Sequence, residues 1–228
     1  NNARYWKIGI TLADVDIARK RLLAMGVEVS EAKQFLDVGY LCHLNDPDGY
    51  CIELLQYDFA QHHKALVSDS SYKLGCAPTL GQITLRISDP ESSLHFYQDV
   101  LGLRLLSRQV IEPHQFTLYF LACTDELPPN PNIDAVENRE WLWQRPYTTL
   151  ELQHVWRTGW RGLVQRTDVD PGFRRISFAT NALEKLVGRM VAEGIEVSEP
   201  GAFDSMLKAT TTTALDPDGN AVRIVANG

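Results

Sequence analysis

A chain of 228 residues can bury one or two cores, and 44% hydrophobic with 22% charged residues is an ordinary globular composition, neither disordered nor fibrous. The formal net charge of -7 leaves no basic surplus to displace counterions, which excludes a general nucleic-acid binder. No apolar run approaches the roughly 18 residues that cross a bilayer, and Cys42, Cys51, Cys76 and Cys123 show no CxxC spacing, so reduced thiols in a cytoplasmic protein are expected.

Tyr5 to Leu12 alternates, with Trp6, Ile8, Ile10 and Leu12 on one face and Tyr5, Lys7, Gly9 and Thr11 on the other, the period of a half-buried strand. Asp14 to Met25 turns helical, with Val15, Ala18, Leu22 and Leu23 at helical spacing and Gly26 as a stop. Strands are expected at Val27 to Val29, Val38 to Leu44 and Tyr50 to Gln56, the last two joined through Asp46-Pro47-Asp48-Gly49. With Pro47 and Asp48 as the loop, Leu44 pairs with Cys51 and Cys42 with Glu53, which disfavours a Cys42–Cys51 disulfide. A polar linker, 58–79, follows, and its His62 and His63 read as solvated side chains rather than ligands.

The middle of the chain repeats this order. Gln82 to Ile87 alternates, and Asp89-Pro90-Glu91 opens a helix that Leu101-Gly102 closes. Leu103 to Val110, Phe116 to Ala122 and Thr148 to His154 read as strands, the last preceded by an insertion from Thr124 to Tyr147 rich in Pro, Asn and charge. Beyond a second linker, Arg157 to Pro171, the order returns in Phe173 to Val225 with a helix at Ala182 to Glu193. This third copy echoes the first: Leu22 to Glu31 (LLAMGVEVSE) matches Met190 to Glu199 (MVAEGIEVSE), and Asp46-Pro-Asp-Gly matches Asp216-Pro-Asp-Gly. The expected fold is α+β, with three βαβββ modules at 1–57, 80–156 and 172–228.

The run from Gln82 through Arg86 and Tyr97 to Gly102, then Phe116 to Ala122, then Thr149-Leu-Glu151-Leu-Gln-His154-Val-Trp156, resembles the lactoylglutathione lyases (glyoxalase I) of the vicinal-oxygen-chelate, bleomycin-resistance and dioxygenase superfamily. The resemblance covers 80–228, and 1–57 resembles the C-terminal module of the same family as far as Glu53-Leu-Leu. It implies a glyoxalase/dihydroxybiphenyl dioxygenase-like fold, with modules paired into half-barrel clefts and a first domain of which 1–57 is the C-terminal half. It also implies a divalent metal (Zn, Ni, Fe or Mn) held by Gln and Glu from one module and His and Glu from the other. Gln82 and Glu151 match the first pair. Arg175 and Arg223 stand at the other two positions in the third module, and a guanidinium has no lone pair for a cation. The first module keeps Glu53 but carries Lys7 in place of His, which coordinates only when neutral.

Two pairings are open. Modules two and three together place Glu151 against Arg175 and Arg223. Modules one and two together place Gln82, Glu151 and Glu53, the candidate metal ligands, beside Lys7. An odd number of modules leaves one unpaired, paired with another chain as in a homodimer, or separated from a fourth module, which the absence of an initiator Met makes attractive. The implied activity is that of a metal-dependent lyase or isomerase acting on a hydroxy-carbonyl or thiohemiacetal-like substrate, with Glu53 or Glu151 as the base for a carbon-bound proton. Lys7, Arg86, Arg175 and Arg223 are the candidate substrate contacts. The resemblance places Arg86 against glutathione, but Val155 and Pro171 replace two further contacts, which weighs against glutathione as cosubstrate. The alternative is a metal-free protein that sequesters an anionic small molecule, and a ring-cleaving dioxygenase is a third, weaker reading.

Overall fold

The computed structural model describes residues 5–156 and 173–227 and divides them into two compact units, one of 5–86 with 104–156, the other of 87–103 with 173–227. The linker from Arg157 to Pro171 lies outside the described residues.

The first unit is built on one eight-stranded sheet. Its strands are β1 (Tyr5–Leu12), β2 (Lys33–Phe35), β3 (Gly39–Asn45), β4 (Cys51–Gln56), β5 (Pro78–Ile87), β6 (Arg104–Ile111), β7 (Phe116–Ala122) and β8 (Thr149–Val155), in the order β2-β3-β4-β1-β5-β8-β7-β6. Each half of that order supplies the four strands of one βαβββ module. β1 pairs with β4 in parallel, and the halves meet where β1 runs antiparallel to β5. Modules one and two are therefore continuous through a strand seam.

Sequence explains the local choices. Asp14 caps helix α1 (Val15–Ala24) by accepting from the Ile17 N–H at 2.9 Å, and Val15, Ala18 and Leu22 face a core with Leu12, Cys42, Leu54 and Cys76. At the seam Gly9 lies opposite Gln82, and a side chain at position 9 would overlap the Gln82 stem. Gly81 makes room for Thr11 in the same way. Two glycines thus let the strands exchange bulky polar residues across the join.

Three expectations need correcting. The strand expected at Val27 to Val29 is a single bridge from Val29 to Leu44, and β2 follows it. The insertion from Thr124 to Tyr147 contains helix α3 (Glu137–Trp143), which buries Leu142 and Trp143 with Val38, Leu55 and Phe120, while the indole N–H donates to the Val38 carbonyl at 3.0 Å. The β3–β4 hairpin is one residue out of the expected register. Gly49 adopts φ +86° and the loop closes between Asp46 and Tyr50, so His43, not Cys42, lies opposite Glu53. All four cysteines are free.

The second unit holds α2 (Pro90–Leu94), continued as a π turn over His95–Val100, then β9 (Ile176–Thr180), α4 (Leu183–Ala192), β10 (Val197–Asp204), β11 (Ala209–Leu215) and β12 (Ala221–Ala226). The sheet order, β10-β11-β12-β9, is that of β2-β3-β4-β1, and Arg223 beside Ser177 occupies the register of Glu53 beside Gly9. The Asp216 turn is anchored: its carboxylate accepts from the Tyr97 hydroxyl at 2.8 Å and from Asn220, and Asp218 accepts from Ser88. Burial raises the Asp216 pKa even with these donors. Removing one of them by Tyr97→Phe is expected to cost about 1–3 kcal/mol in urea unfolding, and an unchanged midpoint would show that the hydroxyl contributes nothing.

Candidate functional site

The four central strands, β4, β1, β5 and β8, each send a polar side chain to one face of the seam: Glu53, Lys7, Gln82 and Glu151, all buried. Lys7 Nζ donates to Glu53 Oε1 at 2.7 Å and to Glu151 Oε2 at 3.2 Å. Gln82 Nε2 donates to Glu53 Oε1 at 2.7 Å, and the Thr84 hydroxyl to Glu151 Oε2 at 2.6 Å. The two carboxylates share one cation, the ammonium of Lys7.

Charge follows from that geometry. Burial acts to lower the Lys7 pKa, but the fields of Glu151 and Glu53 overcome it and hold the amine above its ordinary value. Burial likewise acts to raise Glu53, yet Lys7 and the bond from His43 pull it down to about 2. Glu151 goes the other way: burial and the charge of Glu53 raise it, and Lys7 and Thr84 offset this only in part. One ammonium cannot satisfy two carboxylates equally, so Glu53 is the fixed anion and Glu151 the more basic group.

Around this cluster, Arg86 donates from Nε to Gln153 at 3.1 Å and lies 5.2 Å from the Trp6 ring centroid, with Lys7 Nζ 4.9 Å from the same ring. A bulge in β1 between Tyr5 and Lys7 brings the indole to these cations, which simple alternation does not anticipate. Arg175 and Arg223 are elsewhere, in the second unit: Arg175 is exposed just before β9, and Arg223 pairs with Asp204 of its own sheet at 2.7 Å. Of the two pairings left open by the sequence, Glu151 thus has the one with Lys7, from modules one and two. His62 and His63 approach Glu140 and Asp14 at 2.9 and 3.1 Å, the first with its side chain exposed as read and the second more enclosed than expected. His154 is half-buried on β8.

Sequence reasoning passed over His43, whose Nε2 lies 3.0 Å from Glu53 Oε2 and whose ring lines an open polar depression with Glu28, Ser30 and Asn45. Its position opposite Glu53 was readable only with the glycine bulge of the hairpin placed correctly.

The residues do not fit a resident divalent ion as they stand. The position such an ion would share between Glu53 and Glu151 is filled by an ammonium whose pKa is raised, and a protonated amine has no lone pair to give. Among the described residues, groups of three or more His, Cys, Asp or Glu side chains arranged to hold a metal are absent. Two acceptors of this cluster nevertheless have no described partner, Gln82 Oε1 and Glu151 Oε1.

Lys7→Met leaves two buried carboxylates facing each other and is expected to cost about 3–5 kcal/mol in denaturant unfolding, partly recovered on acidification as Glu151 takes a proton. The depressed Glu53 stabilises the fold fully above its ordinary value near 4.5 and loses that contribution as pH falls towards 2. Glu53→Gln is therefore expected to flatten the acid limb of the stability profile by about 3 kcal/mol, read from unfolding midpoints between pH 2 and 6.

The comparisons agree with this architecture. The model of the Glyoxalase/Bleomycin resistance protein/Dioxygenase superfamily matches residues 79–224. A lactoylglutathione lyase of Pseudomonas aeruginosa is 37% identical over 145 residues, covering 62% of this chain and 78% of that protein. One from Schizosaccharomyces pombe is 25% identical over 222 residues, 96% of this chain and 65% of that protein, while the match to a Saccharomyces cerevisiae glyoxalase I covers 40% of its length. The crystal structure of glyoxalase I from Zea mays superposes with a TM-score of 0.68 at 20% identity, over 98% of this chain and 68% of that one, a likeness of fold. The chain belongs to the Glyoxalase/Bleomycin resistance protein/Dioxygenase superfamily.

Proposed function

We propose that the cleft between modules one and two takes a small hydroxy-carbonyl compound, the substrate class of the lactoylglutathione lyase reading, and engages it through Lys7 without a resident metal. The observation that carries this is that three residues of the cluster keep unspent hydrogen-bonding groups. Lys7 has three N–H donors, of which two go to Glu53 and Glu151, while Gln82 Oε1 and Glu151 Oε1 are acceptors without described partners. The spare Lys7 donor beside the Glu151 carboxylate complements a carbonyl oxygen next to a hydroxyl, and Gln82 Oε1 adds a further acceptor once its amide turns inward. Arg86 and Trp6 flank the same cleft and suit an anionic or planar extension of such a ligand.

Carbon proton transfer is the chemistry this arrangement supports. Lys7 stabilises negative charge as it develops on the carbonyl oxygen, and Glu151, with its raised pKa, accepts the proton from the neighbouring carbon and returns it there, or to the former carbonyl carbon when the hydroxyl proton also passes to the former carbonyl oxygen. The metal-dependent form of the same reaction requires Lys7 to release both carboxylates. The alternative of sequestration without turnover draws on how thoroughly the Lys7 charge is already neutralised. Small molecules remain the expected partners, a cytoplasmic location suits the unpaired thiols, and a homodimer would give the outer edge of β9 a neighbour such as β1 has in β5.

In deuterated buffer with chelator present, the protein is expected to bind hydroxyacetone or dihydroxyacetone and to exchange their carbon-bound protons, followed by NMR. Glu151→Gln is expected to abolish exchange with binding retained within about 10-fold. Binding without exchange in the unaltered protein would favour sequestration, and neither would overturn the assignment of this cleft.

A further inference from the structure

We infer that Lys7 alone excludes a divalent cation from the seam, so that a single substitution, Lys7→His, turns the cleft into a metal site. The inference concerns the same cleft as the proposed function but does not depend on its substrate.

Charge balance is the first support. Glu53 and Glu151 bring two negative charges to a site from which water is largely excluded, and Lys7 returns one positive charge. Adding a dication while the ammonium remains would put two cations in one buried space, with a net positive charge and no counter-ion. Removing the ammonium and adding the dication brings the sum to zero. Imidazole at position 7 keeps a donor atom on the same strand and face, and as a neutral ring it supplies the lone pair that a protonated lysine lacks.

Geometry is the second. Lys7 Nζ lies 2.7 Å from Glu53 and 3.2 Å from Glu151, so one compact ion at that point already has a carboxylate on either side. The buried oxygens Gln82 Oε1 and Glu151 Oε1 have no described donor to surrender. Rotating the Gln82 amide directs its oxygen inward, where its nitrogen now contacts Glu53. One nitrogen and three oxygen ligands make a four-coordinate set suited to Zn2+ or Ni2+. Structure around the ligands is in place as well: Thr84 supports Glu151, His43 supports Glu53, and Gly9 leaves space for the Gln82 stem.

The test is titration of chelator-stripped protein with Zn2+ or Ni2+ in the absence of substrate, read by calorimetry and by metal analysis after desalting. Unaltered protein is expected to retain less than one ion per ten chains, and Lys7→His one ion per chain with affinity about 100-fold tighter. Glu151→Gln added to Lys7→His is expected to abolish the gain. Because Lys7→His can be unstable before metal binds, it is prepared both with and without Zn2+, and Lys7→Gln serves as a second variant, expected to bind about 10-fold more tightly than unaltered protein because the repelling charge is gone. Stoichiometric retention by the unaltered protein overturns the inference. So does a folded Lys7→His or Lys7→Gln with no gain. Failure of hydroxy-carbonyl binding leaves these readouts untouched, so the two proposals fall separately.

Discussion

An ammonium held between two carboxylates in the strand seam is the interaction on which the rest of this cleft depends. Glu53 and Glu151 come from different modules, and each is too deeply placed to ionise without a countercharge. Lys7 supplies it and thereby fixes the relation of β4, β1, β5 and β8 at the centre of the sheet. The seam's polar contacts and the asymmetry between its two carboxylates both follow from where one positive charge sits. Its inequality matters most: Glu53 is pulled down and Glu151 pushed up, so two chemically identical groups differ in basicity.

Much of this was legible from residue order. Alternation in β1 placed Lys7, Gly9 and Thr11 on one face, and the motif run placed Gln82, Glu151 and Glu53 on the strands where they lie. The open choice was which modules meet, because strand periodicity specifies faces and says nothing of which edge finds which. The His43 contact was hidden by one residue of hairpin slip, since a glycine at positive φ lengthened the loop and changed what lies opposite Glu53. Helix α3 was hidden by the Pro- and Asn-rich residues ahead of it, although its own Trp141, Leu142 and Trp143 carry the apolar surface that a core helix needs.

The third module shows how one scaffold tolerates opposite chemistry. Arg223 occupies the strand register of Glu53, and its charge is answered within its own sheet by Asp204 rather than across a seam. Reversing a charge at a partly buried position calls for a new partner nearby, and here the partner came from the adjacent hairpin. The backbone pairing is unchanged by it.

The paired Asp-Pro-Asp-Gly turns carry a consequence for interchange between copies. In the first module Asp48 is exposed and the Asp46 carboxylate is answered by its own loop, at the Asp48 and Tyr50 N–H groups. In the third, the two acids of the turn are buried and lean on Ser88, just ahead of the middle module's helix, and Tyr97, in the π turn that continues it. A recombination event that moved the third copy without that helix would strand a buried acid with fewer donors, whereas the Asp46 carboxylate of the first copy keeps the donors of its own loop. Sequence likeness between the copies therefore overstates their exchangeability, and the permitted direction of shuffling runs from the first module outward.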